Sequence, residues 1–167
     1  QRAFKTRTRN NVTSRTDQRR YSMDVTTLTA LAKLGAAMAL GFAAIGSALG
    51  TGTAGMAGIG AWKKCYLQGK AAPFILLVFI GAPLSQTIYG LLLMNFIIGA
   101  DASPVLLGAG IIGGIAMGFS AWYQGKAGAA GCDALAETGE GFGNYLTTLG
   151  IIETVALFVM IFIQQTF

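Results

Sequence analysis

Four long stretches of this chain carry almost no charge, and few folds accommodate that. Lys33 and Lys63 bracket an uncharged run over 34–62, a second extends over 71–100, and a third over 102–125. A fourth, 141–167, is interrupted only by Glu153. About 20 apolar residues cross a bilayer core as a helix, so each run is long enough to span. Only 11% of the residues are charged, against about 25% in a soluble domain. Strands are disfavoured, because the apolar pattern lacks a period of two and an open sheet edge in lipid leaves backbone groups unpaired. The reading is an all-α membrane protein with four transmembrane helices arranged as two tandem hairpins, expected near 27–61, 71–99, 103–135 and 143–165. It divides the chain into a basic extension (1–22), a first hairpin (23–99) and a second hairpin (100–167).

The connections carry the remaining polar residues. Trp62, Lys63, Lys64, Cys65, Tyr66 and Lys70 read as a basic loop after the first helix. A turn at 99–104 ends in Pro104, suited to a first helical turn, and Glu137, Gly139, Glu140 and Gly141 mark the last loop. Lysines at the first loop favour placing it in the cytoplasm with both termini outside. Charge at the N-terminal end opposes that orientation: Arg2, Lys5, Arg7, Arg9, Arg15, Arg19 and Arg20 face a single acid, Asp17. Met23 just beyond would suit a native start. This extension has no aromatic interleaving, so nucleic acid is not expected as a partner. It is also not read as a secretory signal, because the apolar stretch behind it is too long and lacks a clear cleavage site. Two cysteines without a CxxC pair make no disulfide framework, and the absence of histidine excludes histidine metal sites and triads.

The first and third helices are crowded with small residues, among them Gly35, Gly46, Gly50, Gly58, Gly108, Gly113, Gly118, Gly125 and Gly128. Small side chains let helices approach closely where no water drives them together. Bulk is concentrated in the other two helices, at Phe74, Phe79, Phe158 and Phe162. The halves also echo each other. Residues 50–55 align with 123–128 at a shift of 73, and Ser85-Gln86-Thr87 answers Ile152-Glu153-Thr154 at a shift of 67. A glutamine thus stands in the first hairpin where the second has its carboxylate.

Glu153 is expected near mid-bilayer. A carboxylate there must be protonated, paired or bound to a cation. Lys33 and Lys126 are expected nearer the ends of their spans, which makes a salt bridge the weaker choice. At comparable depth the second helix offers Ser85, Gln86, Thr87 and Tyr89, and the third offers Gln124. Pro83 cannot donate a backbone bond, so carbonyls from Phe79 to Ala82 are candidates to turn towards an ion. One negative charge among neutral oxygens suits a hard monovalent cation better than a divalent one. Each helper has a plainer use: the glutamines as links between helices, Ser85 bonded to its own helix, Tyr89 as a packing aromatic.

Pro83-Leu84-Ser85-Gln86-Thr87-Ile88-Tyr89-Gly90, Tyr123-Gln124-Gly125-Lys126 and Glu153-Thr154 together resemble the duplicated proteolipid, or rotor-ring subunit, of rotary V-type ATPases. The sodium-translocating bacterial form, subunit K, is the most similar type. The resemblance covers roughly residues 26–165. It implies a homo-oligomeric ring in a bacterial plasma membrane, with the glycine-rich helices inside and the other two facing lipid and the stator. It implies Na⁺ as the bound ion (H⁺ alone in the alternative), held by the Ala82 carbonyl, Ser85, Gln86, Gln124 and Glu153, with Tyr89 closing the site. Implied partners are a stator subunit with basic half-channel groups, central-stalk subunits, the ATPase head and membrane lipids. The subunit itself would be non-catalytic. Two departures stand out: Val155 follows Thr154 where sodium-type relatives commonly have tyrosine, and Ser85 replaces the usual threonine, keeping the hydroxyl. A structural membrane scaffold in which Glu153 only stabilises assembly is the reading from a different class.

Overall fold

A computed structural model describes residues 23–167 of the chain. The basic extension at 1–22 lies outside the described residues. Five helices follow: α1 (Val25–Leu67), α2 (Leu76–Gly81), α3 (Ser85–Gly99), α4 (Val105–Thr138) and α5 (Phe142–Gln164). A 3-10 turn, Ala82–Leu84, joins α2 to α3, so the two form one interrupted span over Leu76–Gly99. The described residues therefore contain four helical spans long and apolar enough to cross a membrane, and no strand. The chain is a multi-pass integral membrane protein.

Several predicted boundaries move. α1 runs through Trp62, Lys63, Lys64, Cys65 and Tyr66, so these residues of the expected basic loop are its last helical turns, while Lys70 lies in the connection. The chain reverses afterwards, at Gly69 (φ +64°), where a left-handed conformation suits glycine. Trp62 Nε1 donates to the Pro73 carbonyl at 2.8 Å, tying the end of α1 to the return segment. The second span begins at Leu76 rather than 71, because Pro73 and its neighbours form this anchored turn. Pro104 sits immediately before α4 instead of within its first turn. At the last connection Glu137 is still helical, and Gly139 (φ +73°) and Gly141 (φ +86°) make the reversal.

α1 and α4 run parallel and form the closest layer. An added methyl at Gly46 would collide with the Gly118 backbone, one at Gly110 with Gly35, and one at Gly125 with Gly50. Glycine is required there by the approach of two backbones. Lys64 and Glu137 pair at the loop end, and their separation of 73 residues is the shift at which the halves align. The second span and α5 lie over this layer. Two apolar clusters hold them: Leu93, Ile97, Leu106, Met117 and Ala156 towards one end, and Leu76, Phe79, Cys132, Leu135 and Leu149 towards the loops. Phe79 sits between Phe142 and Tyr145, with centroids 5.5 and 6.3 Å away.

Gly46→Val should force α1 from α4 and destabilise the fold by about 1–3 kcal/mol or more. Gly143→Ala, at a position with no neighbour within 4 Å, should change stability by less than about 1 kcal/mol. Thermal unfolding of the detergent-solubilised protein measures both.

Candidate functional site

Three spans converge on Glu153. In α5 it lies 11 residues after Phe142 and 11 before Gln164, about 16 Å from either end by helical rise. Charge on its side chain is costly at that depth unless the oxygens are engaged. They are: Tyr89 of α3 donates its hydroxyl to Oε1 at 2.7 Å, and Gln124 of α4 donates Nε2–H to Oε2 at 3.2 Å. No cation joins them, since the ion pair found among the described residues is Lys64–Glu137.

Behind the carboxylate the network continues inward. Gln124 is fully buried, and its Nε2 also donates to the Leu149 carbonyl at 3.0 Å. Its Oε1 accepts from Gln86 Nε2 at 2.9 Å, and Gln86 is fully buried too. Ser85 Oγ has one proton and two acceptors in reach, the Ala82 carbonyl at 3.0 Å and Gln86 Oε1 at 3.2 Å. Such chains polarise one another and strengthen in a low dielectric.

The interruption of the second span explains how Ser85 and Gln86 come to lie here. Pro83 removes one backbone donor, and the chain tightens into a 3-10 turn. The Ala82 carbonyl then accepts both the Ser85 backbone N–H and the Ser85 hydroxyl. The expectation that carbonyls near the break stand free is thus modified at Ala82, because Ser85 supplies the missing donors. The Phe79 carbonyl faces α4 at Gly128, where an added Cβ would come within 2.7 Å of it.

All six residues singled out from the sequence, Ala82, Ser85, Gln86, Tyr89, Gln124 and Glu153, share this one network. Thr154 does not join them and donates to the Ile151 carbonyl of its own helix. One contributor escapes the sequence reading. Ser120 Oγ donates to the Ile152 carbonyl at 2.8 Å, fastening α4 to α5 beside Glu153. Its position one helical turn before Gln124 on the same face is a legible signal.

Lys126 lies nearer the loop end of α4, 21 residues after its start and 12 before its end. Ser120 meets Ile152 and Gln124 meets Leu149, so Lys126 falls past Glu153 towards the loops. Two residues turn an α-helix by about 200°, so its ammonium also leaves α4 on the side opposite Gln124.

Two packed hairpins sharing a single mid-span carboxylate define a duplicated membrane proteolipid. Residues 107–163 match the family described as the C subunit of ATP synthase. The chain is also 33% identical over 131 residues to a protein of Methanocaldococcus jannaschii described as A-type ATP synthase subunit K, an alignment covering 77% of this chain. It spans 57% of that relative's length. The chain belongs to the duplicated proteolipids of the V/A-type ATPase family.

Tyr89→Phe deletes the hydroxyl on Glu153 Oε1 while keeping the ring, and a hydrogen bond to a charged group is worth about 1.5–3 kcal/mol. Carbodiimide labelling of Glu153 should accelerate in the variant with helicity by circular dichroism unchanged. An unaltered labelling rate would show that the hydroxyl does not restrain the carboxylate.

Proposed function

We propose that this chain is a rotor-ring subunit of an A/V-type ATPase and that Glu153 carries Na⁺ across the membrane. The supporting observation is a mid-span carboxylate without a cationic partner, surrounded by neutral oxygens from three spans. The donor set has the chemistry of a hard monovalent cation site: one charge on Glu153, amide oxygens on Gln86 and Gln124, the Ser85 hydroxyl and the Ala82 carbonyl. A pure proton carrier needs only a carboxyl and a hydrogen-bond partner. Two fully buried glutamines in series exceed that need.

The cycle follows from desolvation. Na⁺ enters from an aqueous half-channel shared with a stator subunit and neutralises Glu153, which lowers the free energy of carrying that side chain past lipid. Tyr89 restrains the carboxylate in its closed orientation. At a second half-channel a basic stator group competes for the carboxylate and the ion leaves. Copies of the chain form the ring in the plasma membrane, and its loops face the central stalk and ATPase head, where ATP is hydrolysed. Because Gln86 stands at the first hairpin's equivalent of Glu153, each four-helix unit carries one ion. Fewer ions per turn allow the same ATP free energy to work against a steeper gradient.

Carbodiimide labelling of the purified oligomer at mildly alkaline pH tests the ion. The reagent consumes the protonated carboxyl, so bound Na⁺ competes with the proton and slows labelling. Millimolar Na⁺ should protect Glu153 and equal K⁺ should not. Labelling governed by pH alone, indifferent to Na⁺, would make the carrier a proton carrier. Glu153→Gln should leave the oligomer assembled and abolish transport in reconstituted complexes. Loss of assembly instead would favour the scaffold.

A further inference from the structure

Two hydroxyls packed against the second span are left over by the network around Glu153. Ser47 Oγ and Thr51 Oγ1 of α1 are buried and have no hydrogen-bond partner among the described residues. An orphaned polar atom in a dry interior is rare and costly. The plain use of such a hydroxyl is a bond back to the carbonyl four residues earlier, as Thr53 makes to Leu49 and Thr147 to Gly143. Ser47 and Thr51 make no such bond.

Both lie at the height of the ion site, on the face of α1 that meets the second span. An added Cβ at Gly90 would come 2.7 Å from the Ala43 side chain, and one at Gly50 would come 2.9 Å from that of Pro83. α1 and the second span are therefore antiparallel in that register. Ser47 is four residues after Ala43 and three before Gly50, on the same face, which sets it level with Gln86. Ser47 is 2% exposed and Gln86 0%. Thr51 is one turn further along, level with Ala82. The internal repeat points the same way. At the shifts of 73 and 67 that align the halves, Ser47 answers Ser120, Thr51 answers Gln124 and Gln86 answers Glu153. Ser120 and Gln124 are the α4 groups that reach α5 at Glu153.

The oxygens proposed to hold Na⁺ already accept bonds from within the network. Gln124 Oε1 accepts from Gln86 Nε2, and Gln86 Oε1 and the Ala82 carbonyl both lie in reach of the Ser85 hydroxyl. A cation that draws these oxygens repels the same N–H and O–H groups. Those donors must turn away, and in a dry interior they need other acceptors. We propose that Ser47 and Thr51 are those acceptors. As Gln86 and Gln124 turn their oxygens to the ion, Ser47 Oγ accepts the Gln86 amide N–H and Thr51 Oγ1 accepts the Ser85 O–H. Neither touches the ion, so both are positioning residues. They are unpaired in the ion-free network and paired in the ion-bound one, so relief of their desolvation adds to the affinity. The inference rests on the sodium reading of Glu153.

Carbodiimide labelling of Glu153 in the purified oligomer over a Na⁺ titration reads that affinity. Ser47→Ala and Thr51→Val should each raise the half-protecting Na⁺ concentration about fivefold or more, the worth of one hydrogen bond. Thr51→Ser keeps the hydroxyl and should stay near wild type. Without Na⁺, labelling should be unchanged and the melting temperature held or raised, because the substitutions remove groups unpaired in that state. A structural role alone gives the reverse, a lower melting temperature with unaltered Na⁺ protection, and overturns the proposal. A wild type protected by Na⁺, with both hydroxyl-deleting variants protected equally well, removes this inference and leaves the sodium reading standing. A wild type indifferent to Na⁺ removes both together.

Discussion

A carboxylate at mid-bilayer depth must have its oxygens engaged, and the positions of three spans follow from that requirement around Glu153. Tyr89 reaches it from α3 and Gln124 from α4. Gln124 is itself buried and must be satisfied, so it takes the Leu149 carbonyl and the Gln86 amide. Each added group brings a polar atom that needs its own partner, because an unpaired donor in a dry interior costs about 1–3 kcal/mol. The chain of obligations ends only at Ser85 and the Ala82 carbonyl, beside the break in the second span.

That break is tolerable for the same reason. Proline in a transmembrane helix removes a backbone bond where no water can replace it. Here the 3-10 geometry and the Ser85 hydroxyl take up the Ala82 carbonyl, so the interruption leaves its polar atoms paired and ready for exchange. The ion release proposed for this site would benefit from partners that can trade one oxygen for another. Ser85, with two acceptors in reach for one proton, has that freedom.

The glycine layer performs the complementary task. By letting the α1 and α4 backbones touch, it brings α4 into a position from which Gln124 and Ser120 face the second span and α5. The same helix sends Lys126 away on its other side. One rigid element thus separates the carboxylate from the nearest lysine of α4, and the two charges do not neutralise each other.

Much of this was legible in the residues. Four uncharged runs, a charge-depleted composition and clustered glycines determined the membrane class, the number of spans and which helices would pack closest, since hydrocarbon tolerates little else. Glu153, Gln124, Gln86, Ser85 and Tyr89 could be singled out because polar side chains are rare and expensive at that depth. Helix ends were less legible: lysines and aromatics at 62–66 read as a loop, whereas the Trp62–Pro73 bond lets α1 continue to Leu67. Tertiary structure alone decided that Ser120 fastens α5, that Ser85 occupies the Ala82 carbonyl, and that Lys126 is turned away from Glu153. Linear order reports depth along a helix, but the direction in which a side chain leaves becomes meaningful only once the neighbouring helices are in place.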